Sequence, residues 1–209
     1  QDQYTLTINI DGEGVVTKNP DQTTYTYGTS VQLTAIPNVG WSFDSWSGYL
    51  TGTQNPVDIV MDANKAITAT FSPIEYALTI NTVGSGSVSK SPDQPAYTYG
   101  AYVTLTATPA MGWSFSGWSG DLISSDNPVV IIMDANKVVT ATFTQDQYIL
   151  TVNVVGNGIV TKNPDQTTYT YGSVVQLTAT ADPGWAFSYW SGDLSGAANP
   201  DTVTMDSSK

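Results

Sequence analysis

The chain has 209 residues and a formal charge of −12, with six lysines and no arginine, histidine or cysteine. It therefore holds no disulfide, no thiolate metal site and no imidazole for proton transfer. Its few cations form no cluster that could follow a phosphate backbone or an anionic bilayer, so neither nucleic acid nor an anionic membrane surface is an expected partner, and no run of 18 apolar residues offers membrane insertion by this segment.

Tyr4, Leu6, Ile8 and Ile10 alternate with polar residues, the period of a half-buried strand. Gly12-Glu13-Gly14 supplies a tight turn, and Val16 with Lys18 marks a second strand that stops at Asn19-Pro20-Asp21. Tyr25 and Tyr27 are predicted on one face before Gly28, and Val31, Leu33 and Ala35 resume the alternation. In Gly40-Trp41-Ser42-Phe43-Asp44-Ser45-Trp46-Ser47-Gly48, Trp41 and Phe43 share a face. Trp46 falls one residue out of phase, so that either a bulge or turn at Asp44-Ser45 returns it to the core or it faces outward. A polar loop ends at Asn55-Pro56. A closing hairpin is predicted from Val57–Met61, a turn at residues 62–65, and Ile67, Ala69 and Phe71. No stretch has helical periodicity.

The whole pattern returns without insertion or deletion. Trp41, Trp113 and Trp185 lie 72 residues apart, and all six tryptophans belong to copies of the one segment. The boundaries are a junction at 1–3, repeats at 4–75 and 76–147, and a third at 148–209 that lacks its final strand. Gln1-Asp2-Gln3-Tyr4 repeats as Gln145-Asp146-Gln147-Tyr148, so residue 1 reads as an inter-repeat junction with more chain upstream. The expected fold class is all-β: three tandem small domains, β-grasp-like or sandwich-like, of about six to seven short strands each, without substantial helix. Four-residue linkers bring neighbours into contact, and compact-chain scaling gives an extended rod of roughly 90–120 Å.

Tyr27-Gly28 before Val31-Gln32-Leu33-Thr34-Ala35, Gly40-Trp41-Ser42-Phe43 with Trp46-Ser47-Gly48, and Met61-Asp62 leading to Ala69-Thr70-Phe71 resemble the divergent internalin-B-type B-repeat of bacterial and archaeal surface proteins. The likeness covers all three units. It implies a small β-grasp-type sheet, from which this chain departs in offering no helix, and a place in tandem stalk and adhesion segments. The motif is specific for the family and says little about a ligand.

A cysteine-free unit of this size depends on its aromatic rings for buried area. The expected structural core is Trp41, Phe43, Trp113, Phe115, Trp185 and Phe187, with Phe71 and Phe143 from the closing strands. Trp46, Trp118 and Trp190 are the candidate glycan contacts, as a stacking platform if they face out. Asp62-Ala63-Asn64, Asp134-Ala135-Asn136 and Asp206-Ser207-Ser208 offer oxygens to Ca²⁺, but two ligands are far from six, and an Asx-type turn explains them. Tyr49 stands where the other repeats have Asp121 and Asp193, which weakens a shared ligand role. No cofactor is expected. Glutamate occurs only at Glu13 and Glu75, so neither a carboxylate-pair hydrolase nor a Lys18 or Lys65 isopeptide crosslink has its repeated partner.

The sequence thus reads as a non-enzymatic, secreted or cell-surface repeat array, a stalk, spacer or fibre segment of an adhesin. Its partners are neighbouring repeats, other copies of itself, or a surface glycan or protein. The alternatives are a glycan-binding module using the Trp faces, and a filament subunit whose third repeat is completed by strand donation from another copy. Outward threonines offer places for O-linked sugar, although a solvated strand face accounts for them.

Overall fold

A computed structural model describes residues 2–209; Gln1, the first residue of the expected 1–3 junction, lies outside the described residues. Repeat 1 contains eight strands: β1 (Gln3–Tyr4), β2 (Leu6–Asp11), β3 (Gly14–Asn19), β4 (Tyr25–Thr26), β5 (Thr29–Pro37), β6 (Trp41–Gly48), β7 (Val57–Met61) and β8 (Lys65–Pro73). They form two three-stranded sheets, in the orders β2-β8-β6 and β3-β5-β7, and a two-residue pair of β1 with β4. The same strand orders recur in the second repeat, and none of the described residues is helical.

Alternation builds both sheets. Val31, Leu33 and Ala35 of β5 face Ile67, Ala69 and Phe71 of β8 in one core, with Trp46, Ile59, Met61 and Tyr25 closing it. The outward positions between them on β5 and β8 are Gln32, Thr34, Thr68 and Thr70, residues that suit a solvated pleat.

Two expected hairpins are not ladders. The Gly12-Glu13-Gly14 turn joins β2 to β3, yet β2 pairs with β8 and β3 pairs with β5. The turn at residues 62–65 likewise joins β7, paired with β5, to β8, paired with β2 and β6. Each turn carries the chain from one sheet to the other, because both flanking strands bury one face and a sandwich covers those faces where an isolated hairpin would leave them wet. The β2–β8 pair is parallel, with Leu6 opposite Lys65 and Asp11 opposite Thr70.

The chain divides into two compact units. One comprises Gln1–Thr79, Pro92–Val103 and Val130–Lys137, and the other Ile80–Ser91, Thr104–Val129 and Val138–Lys209. The second unit contains the core of repeat 3, built on Val175, Leu177, Val203, Met205 and Tyr169. Ser173–Ala181 of that repeat is central between Gly158–Asn163 and Asp201–Met205, the counterpart of β3-β5-β7. Residues 150–155 and 185–192, the counterparts of β2 and β6, belong to no strand in repeat 3, although the Thr151 N–H donates to the Lys209 carbonyl at 2.8 Å and Trp190 bridges to Gly196.

Candidate functional site

The tryptophan segment resolves its own phase problem. Between Phe43 and Ser45 the β6–β8 register shifts, so that Asp44 is an extra residue and Trp46 returns to the core opposite Ala69. Phe115 and Gly117 mark the same bulge in repeat 2. Phe43 then lies 5.0 Å from Trp46 and 5.8 Å from Phe71, ring centre to ring centre, in tilted and edge-on arrangements.

In repeats 1 and 2 the bulge buries the second tryptophan of the pair, and in repeat 1 Trp41 and Phe43 pack against the same core. Trp46 and Trp118 are 2% and 3% exposed, while Trp41, Phe43, Trp113 and Phe115 are only half-buried. The indole N–H of Trp46 donates to the carbonyl of Gln54 at 2.9 Å, and that of Trp118 to Asp126 at the same distance. A ring so enclosed has no face for a sugar, which removes Trp46 and Trp118 as glycan contacts. In repeat 3, Trp190 is half-buried with its N–H on Ala198, and Phe187 is half-buried 4.9 Å from it. Trp185 is 56% exposed, so it is not a core residue. Phe71 and Phe143 do fill the core, at 3% and 2% exposure. The tip of the Phe71 ring sits on Gly14: a Cβ there would lie 2.5 Å from it, and Gly86 meets Phe143 in the same way.

Tyr25 and Tyr27 do not share a face. Tyr25 is fully buried and donates its hydroxyl to the Pro20 carbonyl at 3.0 Å, whereas Tyr27 is 67% exposed. The counterparts of Tyr27 explain its position. The Tyr99 side chain packs on Gly40 of the preceding repeat, where an added Cβ would stand 2.5 Å from the Tyr99 Cβ. Tyr171 packs on Gly112 likewise, and its hydroxyl donates to the Met111 Sδ at 2.8 Å. The connecting residues are tied as well. Ile74 N–H donates to the Gly40 carbonyl, and Glu75-Tyr76 pairs with Tyr97-Thr98. Asp146 N–H donates to the Gly112 carbonyl, and Gln147-Tyr148 pairs with Tyr169-Thr170.

The Asn-Pro step that ends each polar loop has a structural duty that composition alone did not indicate. The Asn55 amide donates to the Ala35 carbonyl at 2.7 Å and accepts from its N–H at 2.8 Å, satisfying a stretch of β5 beyond the reach of β7. Asn127 holds Ala107 and Asn199 holds Ala179 in the same way. Recurrence at one spacing was the available signal.

The acidic turns are also occupied. Asp62 pairs with Lys65 at 2.8 Å, and Asn64 accepts from the Thr5 N–H at 2.8 Å. Asp134 pairs with Lys137, and Asp206 with Lys209. In each case the hydrogen bond from lysine is the main reason the carboxyl group is held below its ordinary range. Burial is the largest influence on Lys65 and acts to lower its pKa. The hydrogen bonds of Asp62 and Tyr49 outweigh it, so the net shift is upward, and the ammonium lies 3.5 Å over the Tyr49 ring. Among the described residues no three His, Cys, Asp or Glu side chains converge on a possible metal.

In repeat 3 a groove of about 720 Å³ lies between residues 150–155 and 185–194. Val152, Val160, Leu177, Phe187 and Trp190 line it.

Paired sheets over a shared core, recurring with one spacing, define an all-β tandem-repeat protein. The family model described as the divergent InlB B-repeat domain matches residues 4–75, 76–147 and 148–209, and the chain belongs to that family of usually surface-associated, typically non-catalytic repeat modules. No curated protein matches it. Among solved structures it is similar to one titled "The Bacillus anthracis TIE protein", at 8% identity and a TM-score of 0.39. That likeness covers 95% of this chain and 48% of the other, so the chain spans about half of that protein's length. Among the described residues no helix is long and apolar enough to cross a membrane.

Proposed function

We propose that the chain is an extracellular spacer, a stalk segment that sets the distance between a cell surface and whatever the stalk presents. The observation that supports this reading is the absence of a slack residue at either junction. The strand closing one repeat runs to Pro73 or Gln145, the next residue bonds to Gly40 or Gly112, and the following two pair within the next repeat. A flexible tether would leave such groups to water. The partners in this reading are neighbouring repeats, and no cofactor or metal takes part.

The test is to display the chain between a wall anchor and an epitope, with and without residues 76–147. A spacer lowers the epitope by a fixed step when a repeat is removed and leaves adhesion by a distal domain otherwise intact. Loss of binding to purified polysaccharide on removing a repeat, with no change in epitope height, would sink the spacer in favour of the glycan binder.

A further inference from the structure

We infer that each complete repeat is a mechanical clamp, built so that tension along the chain shears a parallel strand pair instead of peeling it. The inference deepens the spacer reading and rests on it for the source of tension. In repeat 1 the first and last long strands, β2 and β8, are adjacent and parallel over Leu6–Asp11 and Lys65–Thr70. The backbone enters at the Leu6 end of β2 and leaves past Pro73 at the far end of β8. In a parallel pair those two points lie at opposite ends of the ladder, so a pull on them drives β8 lengthwise along β2 and strains all its evenly spaced bonds together. Had the terminal strands been antiparallel, entry and exit would have met at one end and the bonds would have opened singly.

Three further features resist the slide. On its other side β8 is paired with β6 from Trp41↔Pro73 to Gly48↔Ile67, so the strand is gripped along both edges. A slip of one residue would turn Ile67, Ala69 and Phe71 out of the core and Thr68 and Thr70 into it. The Phe71 ring is seated on the bare α-carbon of Gly14, and any displacement of β8 must lift it from that seat. The two-residue β1–β4 pair lies outside the clamp and offers little resistance of its own.

The experiment pulls repeat 1 within the full chain along two directions by single-molecule force spectroscopy. Handles at Thr5→Cys and Pro73→Cys load β2 against β8 in shear. Handles at Thr5→Cys and Ala63→Cys load the same ladder from one end, because Thr5 and the 62–65 turn are bonded neighbours. All three positions are exposed, and equal thermal midpoints for the two double variants establish that both retain the fold. The expected result is a severalfold higher unfolding force in shear. Equal forces in the two directions would overturn the clamp while leaving the spacer intact, since epitope height does not depend on it. A fixed epitope height on repeat removal would defeat the spacer whatever the forces.

Discussion

Tyr99 packs on Gly40, a residue with φ of +81° whose missing Cβ leaves room for the first atoms of that side chain. Glycine serves twice at this position, for the left-handed backbone and for the approach of a ring from the next repeat. Gly40→Ala should lower stability by the cost of an L-residue in that conformation, about 1–2 kcal/mol, with the overlap added. In a Tyr99→Gly background, which removes the Tyr99 Cβ that the new methyl would meet at 2.5 Å, only the conformational part remains. A double-mutant cycle in chemical denaturation should return a coupling of about 0.5–3 kcal/mol, and a coupling of zero would mean that the ring does not occupy the glycine's space.

Asn55 should be costly to truncate although it lies near the surface, because it satisfies both backbone groups of Ala35 at once. Asn55→Ala exposes those groups to partial hydration at best, a loss of about 1–3 kcal/mol. Hydrogen exchange at the Ala35 amide is the direct measurement. Its protection should fall by orders of magnitude while the Val31 amide, paired opposite Ile59, changes much less.

The tryptophans differ in what reaches them. Trp46 and Trp118 are enclosed and hydrogen-bonded, whereas Trp185 is largely open. Acrylamide should therefore quench a component of the fluorescence that disappears in Trp185→Phe and persists in Trp46→Phe. The Trp46→Phe chain should also unfold at lower denaturant, since the Gln54 carbonyl loses its donor. Equal quenching in both variants would place Trp46 in water and restore its candidacy as a sugar platform.

The period, the strand pattern and the family were legible because each depends on local alternation and on exact recurrence of residue types. The exchange of partners between sheets was not, because a Gly-x-Gly turn looks the same whether it closes a hairpin or crosses a sandwich. Trp46 shows the other limit. Its phase demanded a bulge or an outward ring, and the choice was decided by Ala69 and the Gln54 carbonyl, distant residues that no spacing within the segment encodes. Tyr27 and Tyr99 share a sequence environment, and only the neighbouring repeat's glycine gives Tyr99 its role.

The three lysine–aspartate turns predict a stability profile in acid. The carboxyls of Asp62, Asp134 and Asp206 are held below the ordinary value of 3.8 chiefly by hydrogen bonds from Lys65, Lys137 and Lys209. Protons therefore bind the unfolded chain first as the pH falls. The stabilisation is complete above the unfolded value and is lost as the pH drops through the lowered folded values. Replacing all three by asparagine should lower the thermal midpoint by a constant amount above about pH 5 and by progressively less toward about pH 2, where the native carboxyls are protonated too. High salt should shrink the neutral-pH difference, because the aspartate side chains are about half exposed. A difference that persists unchanged into acid would assign these residues a turn-forming role independent of charge, with Asn64, Asn136 and Ser208 holding the turn against the first strand of each repeat.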